Sequence, residues 1–142
     1  MKRTLFLSIL VVFFTISFLS IVGCNQSKED YQLQEQCGKL CEEYFKKEYG
    51  DGVFDDKEHS GSIFYKYHYN KKMKKCFILF NEHGYKRSDD KLYGMKSLLD
   101  MNEMKKYGLF YNIGTLTVCD VLGKKCKSEK EWDALVKPFI TE

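Results

Sequence analysis

The residues of this chain with most chemistry in them are its cysteines, Cys24, Cys37, Cys41, Cys76, Cys119 and Cys126, and its three histidines, His59, His68 and His83. Thiols at this density can bind a metal, act as a nucleophile or pair as disulfides. A metal site needs ligands in close pairs. Cys37 and Cys41 lie four apart, on one face of a helix, and Cys119 and Cys126 seven apart, but no C-x-x-C or zinc-type histidine pair accompanies them, so no metal is expected. A cysteine nucleophile needs a lowered pKa, which residue order does not reveal. The chain also has no G-x-S-x-G, no phosphate-cradling glycine loop and no H-E-x-x-H. The expectation is therefore a protein without catalytic residues or a cofactor. Disulfides are the remaining reading, and they fit an oxidising, extracytoplasmic compartment.

Cys24 stands apart from the other five cysteines, because it closes the apolar run Leu5 to Val22, which follows Lys2 and Arg3. A short positive stretch followed by such a run reads as an export signal rather than as part of the fold. The closing tetrapeptide Ile21-Val22-Gly23-Cys24 resembles the lipobox of bacterial lipoproteins. That resemblance implies a diacylglyceryl group on the Cys24 sulfur, cleavage before Cys24 and acylation of the new amino group. Two or three acyl chains hold a protein stably where one holds it marginally. An uncleaved membrane anchor and an ordinary cleaved signal are the alternatives. Asn25 occupies the position where an Asp resembles an inner-membrane retention signal, so the resemblance implies the outer membrane, facing the periplasm. The division is then a signal peptide over 1–23, a lipidated tether over 24–29 and a single domain over 30–142.

Removing the signal takes Lys2 and Arg3 with it, and the net charge falls from +3 to +1. The domain keeps one arginine, Arg87. Readers of nucleic acid rely on several for bidentate contacts, so no nucleic-acid partner is expected. Five cysteines remain, an odd number, which leaves at least one thiol unpaired.

The elements that must position these groups follow from periodicity. Leu33, Cys37, Leu40, Cys41, Tyr44 and Phe45 mark one face of a helix from about Asp30 to Tyr49, ended by Gly50. Asp51 to Ser62 carries Asp51, Asp55, Asp56 and Glu58 without EF-hand spacing, and reads as a solvated loop. Ile63 to Asn70 alternates as a strand, Cys76 to Asn81 reads as a buried one, and the two make a hairpin. The hairpin segment HYNKKMKKCF resembles one in small uncharacterised bacterial lipoproteins, a resemblance that implies no activity. Lys71, Lys72, Lys74 and Lys75 cluster at its tip, either as a solvated turn or as a patch for anionic headgroups near the membrane. Glu82 to Lys91 reads as a polar connection, and Tyr93 to Leu99 as a third strand. A helix over 92–106 is the alternative there. Lys106 to Asn112 and Thr115 to Leu122 complete about five strands. Ser128 to Glu131 has the form of a capping box before Trp132, Leu135, Val136, Phe139 and Ile140, which predicts a terminal helix disturbed by Pro138.

The fold class expected is α+β: an N-terminal helix, an antiparallel meander of about five strands and a C-terminal helix, stapled by disulfides. Two bridges among five cysteines allow fifteen arrangements. Gly123 lets the chain turn back between Cys119 and Cys126, so that pair is expected. Cys37 and Cys41 both face the sheet, and Cys41, nearer the helix middle, is the choice for Cys76, leaving Cys37 as a buried free thiol. The function expected is non-enzymatic binding by a protein held on the membrane through the lipid on Cys24, with an envelope protein or component as partner. Thiol handling is the alternative and a small hydrolase the more distant one. A pocket lined by the tyrosines points to a small ligand, a flat aromatic patch to a protein.

Overall fold

The computed structural model describes residues 28–141. The expected signal peptide, Cys24 and most of the expected tether lie outside the described residues.

Helix α1 occupies residues 28–49. Seven strands follow: β1 (Val53–Asp55), β2 (His59–Asn70), β3 (Lys75–Lys86), β4 (Lys91–Asp100), β5 (Lys105–Ile113), β6 (Leu116–Val121) and β7 (Lys124–Lys125). Helix α2 is Glu129–Ile140. The strands form one antiparallel sheet in the order β1-β2-β3-β4-β5-β6-β7, a continuous meander. The expected class and order hold, but seven strands replace about five. Residues 92–106 form nearly all of β4, a turn and the start of β5, not a helix. Two stretches that composition marks as loops are paired backbone. His59 to Ser62 extends β2 along β3, with Ser60 to Ser62 pairing also with β1, while Glu82 to Lys86 extends β3.

Short Asx-capped turns keep the meander tight. Asn70 Oδ1 accepts the Met73 N–H at 3.0 Å, and Asp100 Oδ1 accepts those of Asn102 at 2.9 Å and Glu103 at 3.3 Å. Each turn ends on a residue at positive φ, Lys74 and Met104. Both capping side chains are buried. Lys75 Nζ neutralises Asp100 at 2.5 Å and also meets Glu103 at 2.7 Å and Tyr107 Oη at 3.0 Å. These donor bonds to Asp100, Glu103 and Tyr107 raise the pKa of Lys75. Lys75 thus belongs to the sheet's own ion pairs, a correction to the four-lysine patch.

Each face of the sheet has its own core. On one, Phe77, Leu79, Leu98, Phe110, Cys119 and Val121 pack under α2, whose Trp132 is 0% exposed. Ser128 Oγ accepts the Glu131 N–H at 3.3 Å, as the capping box predicts, although Glu131 returns its bond to the Lys127 N–H at 2.9 Å. Pro138 does not end the helix, which runs on to Ile140. Asn70 Nδ2 donates to the Pro138 and Phe139 carbonyls at 2.9 and 3.3 Å and ties that last turn to β2. On the other face, Cys37, Cys41 and Phe45 of α1 pack against Ile63, Cys76, Ile78, Phe80 and Met101.

Disulfides join Cys37 to Cys76, with Cα atoms 5.4 Å apart, and Cys119 to Cys126, at 5.0 Å. The second is the expected bridge. The first corrects the expectation of Cys41 to Cys76 with Cys37 free: Cys41 is the free thiol. The reason is the register of a helix over a strand. Gln34 Oε1 accepts the Tyr69 N–H at 2.8 Å, and Tyr69 is the cross-strand partner of Cys76, so the first turns of this segment lie over the start of β3. The eight residues from Cys37 to Phe45 advance about 12 Å along a helix, and the four from Cys76 to Phe80 about 13 Å along a strand. Seating Phe45 at Phe80, ring centroids 6.4 Å apart, therefore seats Cys37 at Cys76 and carries Cys41 one turn beyond it.

Candidate functional site

An open groove of about 510 Å³ lies on the α1 face, where the sheet continues past the end of the helix. Its rim begins with Glu48 and Tyr49, the last turn of α1. Gly50 and Gly52, at φ +62° and +79°, then reverse the chain into β1. A Cβ on Gly52 would stand 2.5 Å from the Ile63 carbonyl oxygen, so glycine is required for β1 to close over β2. Val53 and Phe54 of β1 and Asp56 after it form that wall.

The floor consists of two cross-strand rows. Ile63, Glu82, Met95 and Tyr111 are successive partners across β2 to β5, and Gly61, Gly84 and Tyr93 stand beside them. Gly84 has a specific task. The Tyr93 ring lies across it, since a Cβ there would be 2.6 Å from the ring, and this lets Tyr93 Oη donate to Glu82 Oε1 at 2.7 Å. Burial and the bond to Glu82 push the Tyr93 phenol well above its ordinary pKa, so it remains a donor. His59 meets the Tyr93 ring edge-on at 5.8 Å, and the Tyr111 ring lies 6.0 Å from it on the other side. Tyr49, tilted against the Phe45 and Phe80 rings, also has its phenol pKa raised by burial.

Among the described residues three carboxylates, Glu48, Asp56 and Glu82, line the groove, and no lysine or arginine does. Asp56 Oδ1 accepts the N–H groups of His59 and Glu58, each at 2.7 Å, and these two bonds hold its carboxyl below the usual carboxylate range. Arg87 is bound outside, to the carboxylate of Asp55, and its N–H donates to the Glu58 carbonyl at 2.9 Å. Among the described residues the lining contains no serine, threonine or cysteine either. Its inventory is that of recognition: hydroxyls, rings and fixed negative charge around an apolar floor.

The second chemical feature is sulfur. The Sγ atoms of Cys37, Cys41 and Cys76 all lie within 4.8 Å of one another, and Cys41 Sγ is 3.6 Å from Cys76 Sγ. Cys41 is 0% exposed, and burial pushes its thiol up to about 12. Among the described residues these three form the group that could hold a metal ion. While Cys37 and Cys76 are bonded to each other, that group offers one thiol.

The histidines are not brought together. His59 is in the groove, His83 on the opposite face beside Gly94, and His68 near the other end of β2. Trp132 is core. Sequence reasoning placed Tyr93 and Tyr111 on strands but missed their site, because His59 and Glu82 lay in stretches read as loops. Glu82 to Lys86 carries one large apolar residue, Tyr85, and so gave no alternation by which to find the strand. Among the described residues no helix is long and apolar enough to cross a membrane. No protein-family model, curated protein or solved structure matches the chain.

Proposed function

We propose that this chain is a lipid-anchored binding protein of the cell envelope, held at the outer membrane by acyl chains on Cys24 and binding a small ligand in the groove at the end of α1. The observation that carries the binding reading is the tyrosine-lined hollow itself, of ligand size and with convergent polar groups at Glu82, Tyr93 and Asp56. The Ile21-Val22-Gly23-Cys24 closure supports the anchor.

Both halves have direct tests. Cells fed labelled fatty acid should label the wild-type chain and not Cys24→Ala, which should accumulate as precursor; labelling of that variant would refute the anchor. For binding, the detergent-solubilised chain is screened against envelope extracts by ligand-observed NMR, with Tyr93→Ala/Tyr111→Ala as the control. Signals that respond to wild type and not to the control support the groove, and a response equal in both overturns it.

A thiol-handling role is the second reading. The observation favouring it is the Cys41 thiol in contact with the sulfur of an existing disulfide.

A further inference from the structure

We propose that the groove takes a small organic cation, an ammonium or guanidinium group carried on an apolar body; the inference rests on the groove being a binding site and names the ligand class. Among the described residues the formal charge of the lining has one sign, since Glu48, Asp56 and Glu82 face the hollow without a lysine or arginine beside them in the lining. A carboxylate rim of this kind is unfavourable to an anion, because like charges brought together in a partly desolvated site repel.

The two inner carboxylates are already aimed. Glu82 Oε1 is held by the Tyr93 hydroxyl, which fixes the group and leaves Oε2 for a ligand. Asp56 is fixed through Oδ1 by two backbone N–H groups, which keeps it ionised and leaves Oδ2. Glu48 is looser, with Lys47 3.7 Å away. For Glu82 and Asp56 none of these bonds neutralises the charge, because each donor is a neutral N–H or O–H, whereas Glu48 is paired with the Lys47 ammonium.

Aromatic rings supply the second requirement. Tyr93 and Tyr111, with centroids 6.0 Å apart and planes at 40°, form an angled pair beside the His59 ring. Electron-rich faces at that spacing attract a cation, most strongly one with a weakly held hydration shell such as a quaternary ammonium. A metal ion would make poor use of them. Met95, the cross-strand partner of Tyr111, gives an apolar body something to cover.

The test uses the detergent-solubilised full chain and three probes of similar size, benzyltrimethylammonium, benzyl alcohol and benzenesulfonate, titrated while the tyrosine ring resonances are followed by NMR. Benzyltrimethylammonium should shift the Tyr93 and Tyr111 signals and the other two should not. Glu82→Gln keeps the acceptor for Tyr93 and so the local fold, which a melting curve checks. That variant and Asp56→Asn should each weaken the cation about five-fold, the scale of one partly solvated charge pair. Added salt should weaken binding in wild type more than in the variants. If all three probes bind alike, or if both variants bind the cation as wild type does, the groove binds without regard to charge and the inference fails while the binding reading stands. If no probe shifts either tyrosine, both fail.

Discussion

Removing Cys76 should cost far more stability than removing Cys37, although the two form one bridge. The Cys37–Cys76 bridge spans 39 positions and the Cys119–Cys126 bridge 7. In the chain-entropy account these closures are worth about 4 and about 2.4 kcal/mol. Cys76→Ala loses the larger figure outright. For a domain of this size that is a fall in melting temperature on the order of 15 °C. Cys37→Ala does not, because Cys41 Sγ already lies 3.6 Å from Cys76 Sγ and can take the vacant place. The replacement closes 35 positions instead of 39, a difference of about 0.1 kcal/mol in closure entropy. The cost is then the small helix adjustment that brings Cys41 into bonding range. Melting curves of the oxidised variants measure the ordering, and non-reducing peptide mapping identifies the bridge. Cys37→Ala should melt well above Cys76→Ala and yield a Cys41–Cys76 cross-link, and Cys37→Ala/Cys41→Ala should fall to the level of Cys76→Ala. A Cys37→Ala chain that melts as low as Cys76→Ala, with Cys41 and Cys76 both open to alkylation after unfolding, would refute the reasoning.

Cys41 also predicts a pH dependence. Its folded pKa is raised to about 12 by burial, so the folded state keeps a proton that the unfolded chain releases near 9. Its contribution is therefore intact below about pH 9 and is lost at about 1.4 kcal/mol per pH unit as the folded pKa is approached. Comparing urea midpoints of wild type and Cys41→Ala from pH 8 to 11 isolates it: the wild-type curve should fall more steeply, and parallel curves would contradict the assignment. Gly52→Ala should destabilise by on the order of 2 kcal/mol in urea unfolding, since it places a Cβ at φ +79° against the Ile63 carbonyl. A loss under 0.5 kcal/mol would show that the turn relaxes freely.

What could be read from the sequence was local. The α1 face, the Ser128 cap and the Cys119–Cys126 bridge each depend on residues within one or two turns of one another, and all three stand where spacing put them. The failures share a cause. His59-Ser60-Gly61-Ser62 looks like a loop by composition, yet it is paired with β3 throughout and with β1 from Ser60 on, and small residues are needed there because a Cβ on Gly61 would strike the His83 carbonyl oxygen at 2.3 Å. Choosing between Cys37 and Cys41 required knowing how a 1.5 Å rise lies over a 3.3 Å one. The groove required four strands in register, so that Ile63, Glu82, Met95 and Tyr111 fell into line.

The same register explains why a groove exists at this end of the sheet. With Cys37 bonded to Cys76, the twelve residues on to Tyr49 carry α1 about 18 Å along the sheet, whereas β3 runs about 33 Å from Cys76 to Lys86. The helix therefore ends one turn past Phe45, with Tyr49 still meeting the Phe80 ring at 5.3 Å, and Gly50 prevents it going further. Gly84 lies beyond its reach. The uncovered length is about 15 Å, the span of a small ligand. It is closed at the side by β1 and on the floor by Tyr93 lying over Gly84. Because the bridge fixes the near end of α1, the whole shortfall falls at the far end instead of being shared between two shallow gaps. The disulfide and the groove are thus parts of one arrangement, in which the covalent link at Cys76 sets how far from it the sheet is left open.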